Sequence, residues 1–207
     1  MTFITGRARF RLVVNSVDRK SLWAICLLLA TSACGNSLYK VKPIVDLPPM
    51  SATAPATNLG GLTLRAAPLL LDEESQELFE ANLPLSGLLP VRVEMVHNSG
   101  ETIELKKVRF RLHDGEGNEW KMISARQAIG RILKANEVYA YNPQSRKTFE
   151  KEFRAYELDS KSPLTHSERR RSGFIIFQAP KKAALATPRG LVLSIEGLAQ
   201  PATLTLN

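Results

Sequence analysis

Val91-Arg92-Val93-Glu94-Met95 alternates apolar and charged residues with a period of two, the pattern of a strand with one face in a core and the other turned away from it. The same alternation appears on either side. Leu62 and Leu64 alternate with Thr63 and Arg65; Leu191, Leu193 and Ile195 with Val192, Ser194 and Glu196; Leu204 and Leu206 with Thr203 and Thr205. Gly173-Phe174-Ile175-Ile176-Phe177 is apolar in both phases, as expected of a central strand covered on both sides. Ala179-Pro180 ends it, because proline has no N–H for the ladder. Asn98-Ser99-Gly100 and Asp114-Gly115-Glu116-Gly117 read as turns, with Trp120 and Met122 on the strand returning from the second. Ile103 and Leu105 share one phase, and Val108, Phe110 and Leu112 the other. The slip across Lys106-Lys107 therefore predicts a bulge or a strand break.

Helical spacing enters in two places. Asp72 opens a short acidic stretch, through Phe79, that predicts one or two helical turns, with Asp72 as the cap. Further on, Ala125, Ile129, Ile132, Leu133 and Asn136 fall on one helical face, and Phe149, Phe153 and Tyr156 on another. Seven or so short strands with turns between them predict a mainly β protein, an antiparallel β-sandwich with a two-helix insertion at about residues 124–158.

The chain has 207 residues, 44% hydrophobic and 23% charged, with a formal net charge of +8 and two cysteines. This is enough apolar material for one core and excludes disorder throughout, collagen and a polytopic membrane protein. The charge is unevenly placed. Arg7, Arg9, Arg11, Arg19 and Lys20 precede the apolar run Leu22 to Ala30, which fades into Thr31-Ser32-Ala33 and meets Cys34. A basic segment, a short apolar run and small residues are the order of an export signal, and the run is short of the roughly 20 residues that span a bilayer. Half of the +8 lies in these first 33 residues; the rest carries 23 Lys and Arg against 19 Asp and Glu.

This order resembles the lipobox of bacterial lipoproteins, although Thr31 stands where that family usually carries leucine. The resemblance implies cleavage between Ala33 and Cys34, lipid attachment at Cys34, and a domain facing the periplasm. Gly35, in place of aspartate, implies the outer membrane. Two or three acyl chains, palmitate among them, would give the stable anchoring that one chain does not. Pro43, Pro48, Pro49 and Pro55 then predict an extended spacer, so the expected organisation is a signal peptide over 1–33, a lipidated Pro-rich tether over 34–60 and a domain over 61–207.

Within roughly 86–197, a strand ending in His97-Asn98-Ser99-Gly100, the hairpin through Asp114-Gly115-Glu116-Gly117 and Gly173-x-Ile175-x-Phe177-x-x-Pro180 resemble the immunoglobulin-like accessory domains of bacterial surface lipoproteins. The resemblance implies an immunoglobulin-like fold and an envelope setting, with no catalytic residues to transfer. The departure is the helical stretch.

The chain contains no G-x-S-x-G elbow, phosphate loop, dinucleotide fingerprint or H-E-x-x-H. His97, His113 and His166 are far apart in sequence and read as satisfied or solvated. Asp114, Glu116 and Asn118 have the spacing of a calcium loop, but Glu119 and Ala125 occupy the positions that need glycine and glutamate, so a hairpin turn is expected. No catalytic residues, metal, cofactor or nucleic-acid partner is expected. Arg169-Arg170-Arg171 reads first as a solvated surface beside a sheet edge; its functional version is docking to anionic headgroups, lipopolysaccharide or the cell wall. Phe149, Phe153 and Tyr156 read first as the face that packs a helix on a sheet, and otherwise as the lining of a partner groove. These six residues form the expected partner surface, together with the helical insertion that a sandwich does not require. The expected function is a non-enzymatic binding or assembly module for an envelope protein partner. The alternative is a carrier of a lipid or other apolar ligand held between sheet and helices.

Overall fold

The alternating stretch lies at the centre of β3 (Leu88–His97), which runs antiparallel between β2 (Leu62–Pro68) and β6 (Arg170–Gln178). Val91, Val93 and Met95 are fully buried and pack with Leu64, Ala66, Ile175 and Phe177 in the first of two cores. Each such side chain contributes about 1.5–3 kcal/mol relative to exposure. The computed structural model describes residues 37–180 and 188–207. They belong to one unit, Asn36–Asn207; Ala33 and Cys34 lie outside the described residues.

Five further strands complete the sheet: β1 (Ala56–Asn58), β4 (Arg109–His113), β5 (Glu119–Ile123), β7 (Val192–Glu196) and β8 (Ala202–Thr205). The order is β1-β2-β3-β6-β5-β4-β7-β8, antiparallel at every pairing. The protein is therefore mainly β. The eight strands among the described residues run in one hydrogen-bonded order instead of two separately bonded sheets, because β5 changes neighbours along its length. Glu119 and Trp120 pair with β4, whereas Lys121 to Ile123 pair with β6. β1 also comes against β8, so the sheet nearly closes on itself. The phase slip at Lys106-Lys107 is a break: Val108 N–H bonds to the Leu105 carbonyl in a tight turn, and Ile103 pairs separately with Leu164. The turn lets Leu105, Val108, Phe110 and Leu112 all face the first core.

Phe174 and Ile176 point to the other face of β6 and begin the second core. Three helices cover it: α1 (Asp72–Phe79), α2 (Ala125–Ala135) and α3 (Pro143–Arg154). In α1 Asp72 is the first helical residue instead of the cap, and the Glu74 carboxylate accepts the Leu71 N–H. Ser124 caps α2 by accepting from Gln127 N–H, and Asn142 caps α3 with Pro143 as its first residue, both favourable arrangements.

The segment expected to be a spacer is packed instead. Leu38, Tyr39, Val41 and Leu47 lie against the second core and Met50 is buried. Lys42 N–H bonds to the Leu78 carbonyl, the Lys42 carbonyl accepts from the Tyr156 hydroxyl, and Lys40 N–H bonds to Glu80. Residues 56–58 form β1 on the edge of β2. The prolines exclude a regular ladder, but they leave the intervening apolar side chains free to be buried and the other backbone groups free to find irregular partners. Residues 37–60 accordingly belong to the same unit as residues 61–207.

After α3 the chain lies directly on β6: Phe174 N–H bonds to the Tyr156 carbonyl and Leu158 N–H to the Phe174 carbonyl. A Cβ on Gly173 would stand 2.5 Å from Leu158 Cα, whereas one on Gly130, on the exposed side of α2, would meet nothing within 4 Å. Urea denaturation should therefore separate the two glycines. Gly173→Ala is expected to destabilise by about 1–3 kcal/mol through overpacking. Gly130→Ala is expected to stabilise by about 0.5–1 kcal/mol through helix propensity.

Candidate functional site

Burial redistributes the residues expected to form a partner surface. Phe149, Phe153 and Tyr156 are 0%, 1% and 2% exposed. Phe153 and Tyr156 stack on Phe79, Tyr156 also on Phe174, and Phe149 on Tyr39. They are the glue between α3, α1 and the sheet and present no outward groove. The helical insertion is likewise part of the fold, because without it Phe174 and Ile176 would face water.

The basic run is split by strand geometry. β6 begins at Arg170, and successive side chains of a strand take opposite faces. Arg169 stays exposed, with its Nη2 3.2 Å from His166 Nε2. Arg171 is 7% exposed and belongs to the loop over 159–168. Its guanidinium donates to both Glu168 carboxylate oxygens and to the carbonyls of Asp159, Ser162 and Pro163. These bonds close the loop over the sheet. The Arg171 hydrogen bond holds Glu168 below the usual carboxylate range. Bonds from the Ser162 side chain and the Lys161 N–H do the same for Asp159.

Arg170 points the other way, onto the outer face of the sheet, where its Nε and Nη2 approach one oxygen of Glu94 at 2.8 and 2.6 Å. Register builds the rest of the group. Arg65 on β2 and Ser172 on β6 are the cross-strand partners of Glu94, and Arg92 lies two residues along β3 on the same face. Glu94 is 2% exposed, in the middle of this group. Arg92 donates from Nη1 to the Pro48 carbonyl, 2.6 Å away, which fastens the packed segment over residues 38–50 as a strap. Burial lowers the Arg92 pKa, Arg170 adds to that effect, and Glu94 opposes it. Arg65 Nε, Arg92 Nε and Ser172 Oγ are buried with no hydrogen-bond partner among the described residues. Three guanidinium groups against one carboxylate leave two positive charges and a set of directed donors. Such a group can recognise an anion.

Two other places are chemically plainer. His97 and His166, distant in sequence, line one 370 Å³ pocket with Arg169; His97 is buried, its Nε2 against the Glu101 carbonyl. A 640 Å³ cleft at the start of α2 is lined by Arg126, Arg154 and Lys161 together with Glu157 and Asp159, and Glu157 there accepts the Ala125 N–H. In the turn, Asp114 accepts from Asn118, Trp120 and the Glu116 N–H, as a hairpin needs. Sequence reading passed over Arg65 and Arg92 as the polar phase of strands. The available signal was charge on strand positions facing away from the core, but only register shows that the charges meet.

Removing Arg171 strands three carbonyls and a carboxylate, so Arg171→Ala should cost about 2–4 kcal/mol in urea denaturation. A folded-state pKa below the ordinary value stabilises above that value and is lost as pH falls through the folded one. Asp159 and Glu168 start from 3.8 and 4.5 and are both lowered. The wild-type urea midpoint should therefore drop as pH falls below about 4.5, and that of Arg171→Ala should drop less, because Glu168 has lost the partner that shifts it.

No protein-family model matches the chain, and neither the curated proteins nor the solved structures yield a significant match.

Proposed function

We propose that this chain is a bacterial lipoprotein, anchored through lipid on Cys34 and facing the periplasm from the outer membrane, which acts as a non-enzymatic binding or assembly module. The observation that carries the reading is the order of the N-terminus: five basic residues, a short apolar run, Thr31-Ser32-Ala33, then Cys34. Asn36–Asn207 forms one unit by itself, and the proposed cleavage point lies outside it. Lipid on the cysteine supplies the membrane attachment that an apolar run of this length would not.

The immunoglobulin-like reading of the fold belongs with this proposal. One half of the strand order, β1-β2-β3-β6, and the other, β4-β7-β8, share β5 at a corner. Leu64, Val93 and Phe177 from the first half pack in the same core as Leu112, Leu193 and Leu204 from the second. Two faces closing on one core is the arrangement a sandwich requires. Binding is assigned to the outer sheet face around Glu94 and not to the helices, whose apolar side chains are occupied by the fold. Phe79, Phe149, Phe153 and Phe174 pack together between sheet and helices, which supports the outer sheet face over an apolar cargo site there.

Cys34→Ser tests the anchor. The wild type should partition with membranes and take up label when cells are fed an alkyne-tagged fatty acid. The variant should lose the label and leave the membrane fraction. Equal fractionation and labelling of the two would overturn the lipoprotein reading.

A further inference from the structure

We propose that the outer face of β2, β3 and β6 binds a phosphoryl group, from a lipid headgroup or from free phosphate, through Arg65, Arg92, Arg170 and Ser172. The inference deepens the binding-module reading by naming a ligand class; it rests on that reading for the site and not for the anchor.

Three observations converge. Arg65 Nε, Arg92 Nε and Ser172 Oγ occupy neighbouring positions of one sheet face, and all three are buried with no partner among the described residues. Buried donors are nearly always satisfied, by protein, water or a ligand. Glu94 does not satisfy them, because its recorded bonds are both to Arg170. Charge narrows the choice. Within the group Arg65, Arg92 and Arg170 against Glu94 leave an excess of two positive charges, with Glu74 and Glu77 of α1 lining the pocket beside Arg92, and uncompensated charge is costly where it is shielded from water. Water would satisfy the donors and leave the charge; a carboxylate would cancel half of it. A phosphate monoester or inorganic phosphate supplies two negative charges and oxygens that match the planar guanidinium fork.

The site is also built. The Pro48 carbonyl holds Arg92 from one side, and Glu94, almost wholly buried, holds Arg170 from beneath. The Arg170 side chain remains 62% exposed, so the group opens to solvent on its far side. An incoming phosphoryl group would meet Arg170 first, and reaching the buried Nε donors would require the Arg65 and Arg92 side chains to shift.

The test is calorimetric titration of the full chain, kept in a non-ionic detergent, with three probes: inorganic phosphate, soluble dihexanoyl phosphatidic acid and dihexanoyl phosphatidylcholine. Binding of inorganic phosphate or of phosphatidic acid, in preference to phosphatidylcholine, is expected, and the tighter of the two identifies the source. The double variant Arg65→Lys, Arg92→Lys keeps the charge and loses both Nε donors. It should bind about tenfold or more weakly, with an unchanged circular dichroism spectrum confirming that it is folded. Failure of both phosphate probes to bind, or equal affinity in the folded double variant, would overturn the proposal. Phosphate binding by a chain whose fractionation is insensitive to Cys34→Ser would remove the anchor alone. A membrane-anchored chain that binds neither probe would remove this inference alone.

Discussion

Phe174 and Ile176 leave β6 on one face while Ile175 and Phe177 leave it on the other, so a single strand faces two apolar layers that different parts of the chain must cover. The inner layer is closed by the sheet itself, as β5 passes from β6 to β4 and brings β7 and β8 round over the first core. The outer layer is closed by three helices and by the strap over residues 38–50. This second demand explains why the helical stretch sits where it does, between β5 and β6, and why its aromatic side chains are used up inside. It also explains the strap. Tyr39, Val41 and Leu47 finish the apolar layer that the helices leave incomplete.

The helices cover only part of the outer face. Towards the other end of β3 and β6 the same face carries Arg92, Glu94, Arg170 and Ser172, with Arg65 beside them on β2. Apolar side chains and charged ones thus share one sheet surface, and Arg92 stands near the border, bonded to the strap that closes the apolar side. Glu94 keeps the positive charges together in a place too buried for bulk water to screen them fully. The cluster is therefore tied into the fold on one side and open on the other.

Charge along the chain and charge in space differ here. Three consecutive arginines suggest one basic patch, yet strand alternation sends Arg170 to Glu94 and Arg171 into the loop over 159–168, leaving only Arg169 at the strand's start. The arginine group that does form draws its members from three strands, with Glu94 and Arg170 76 residues apart in sequence.

The period-two stretches were legible as strands because alternation of apolar and polar residues is a local property, written residue by residue. The helical stretches were legible for the same reason, as were the turn at Asp114 to Gly117 and the break at Lys106-Lys107. Proline-rich composition misled about residues 38–50, since it reports what the backbone avoids and not what the side chains bury. By itself the sequence determined the helix segments, the strand segments other than β1, and the basic, apolar and small-residue order that ends at Cys34. It also determined the buried phase of those strands up to Trp120 in β5, beyond which Ile123 and not Met122 is buried. Only the tertiary structure decided that the sheet is one continuous strand order, that the aromatic stripe of α3 is interior, and that Arg65, Arg92 and Arg170 surround Glu94. Those facts depend on register and on which strands become neighbours, and both are set by the packing of side chains far apart in the chain.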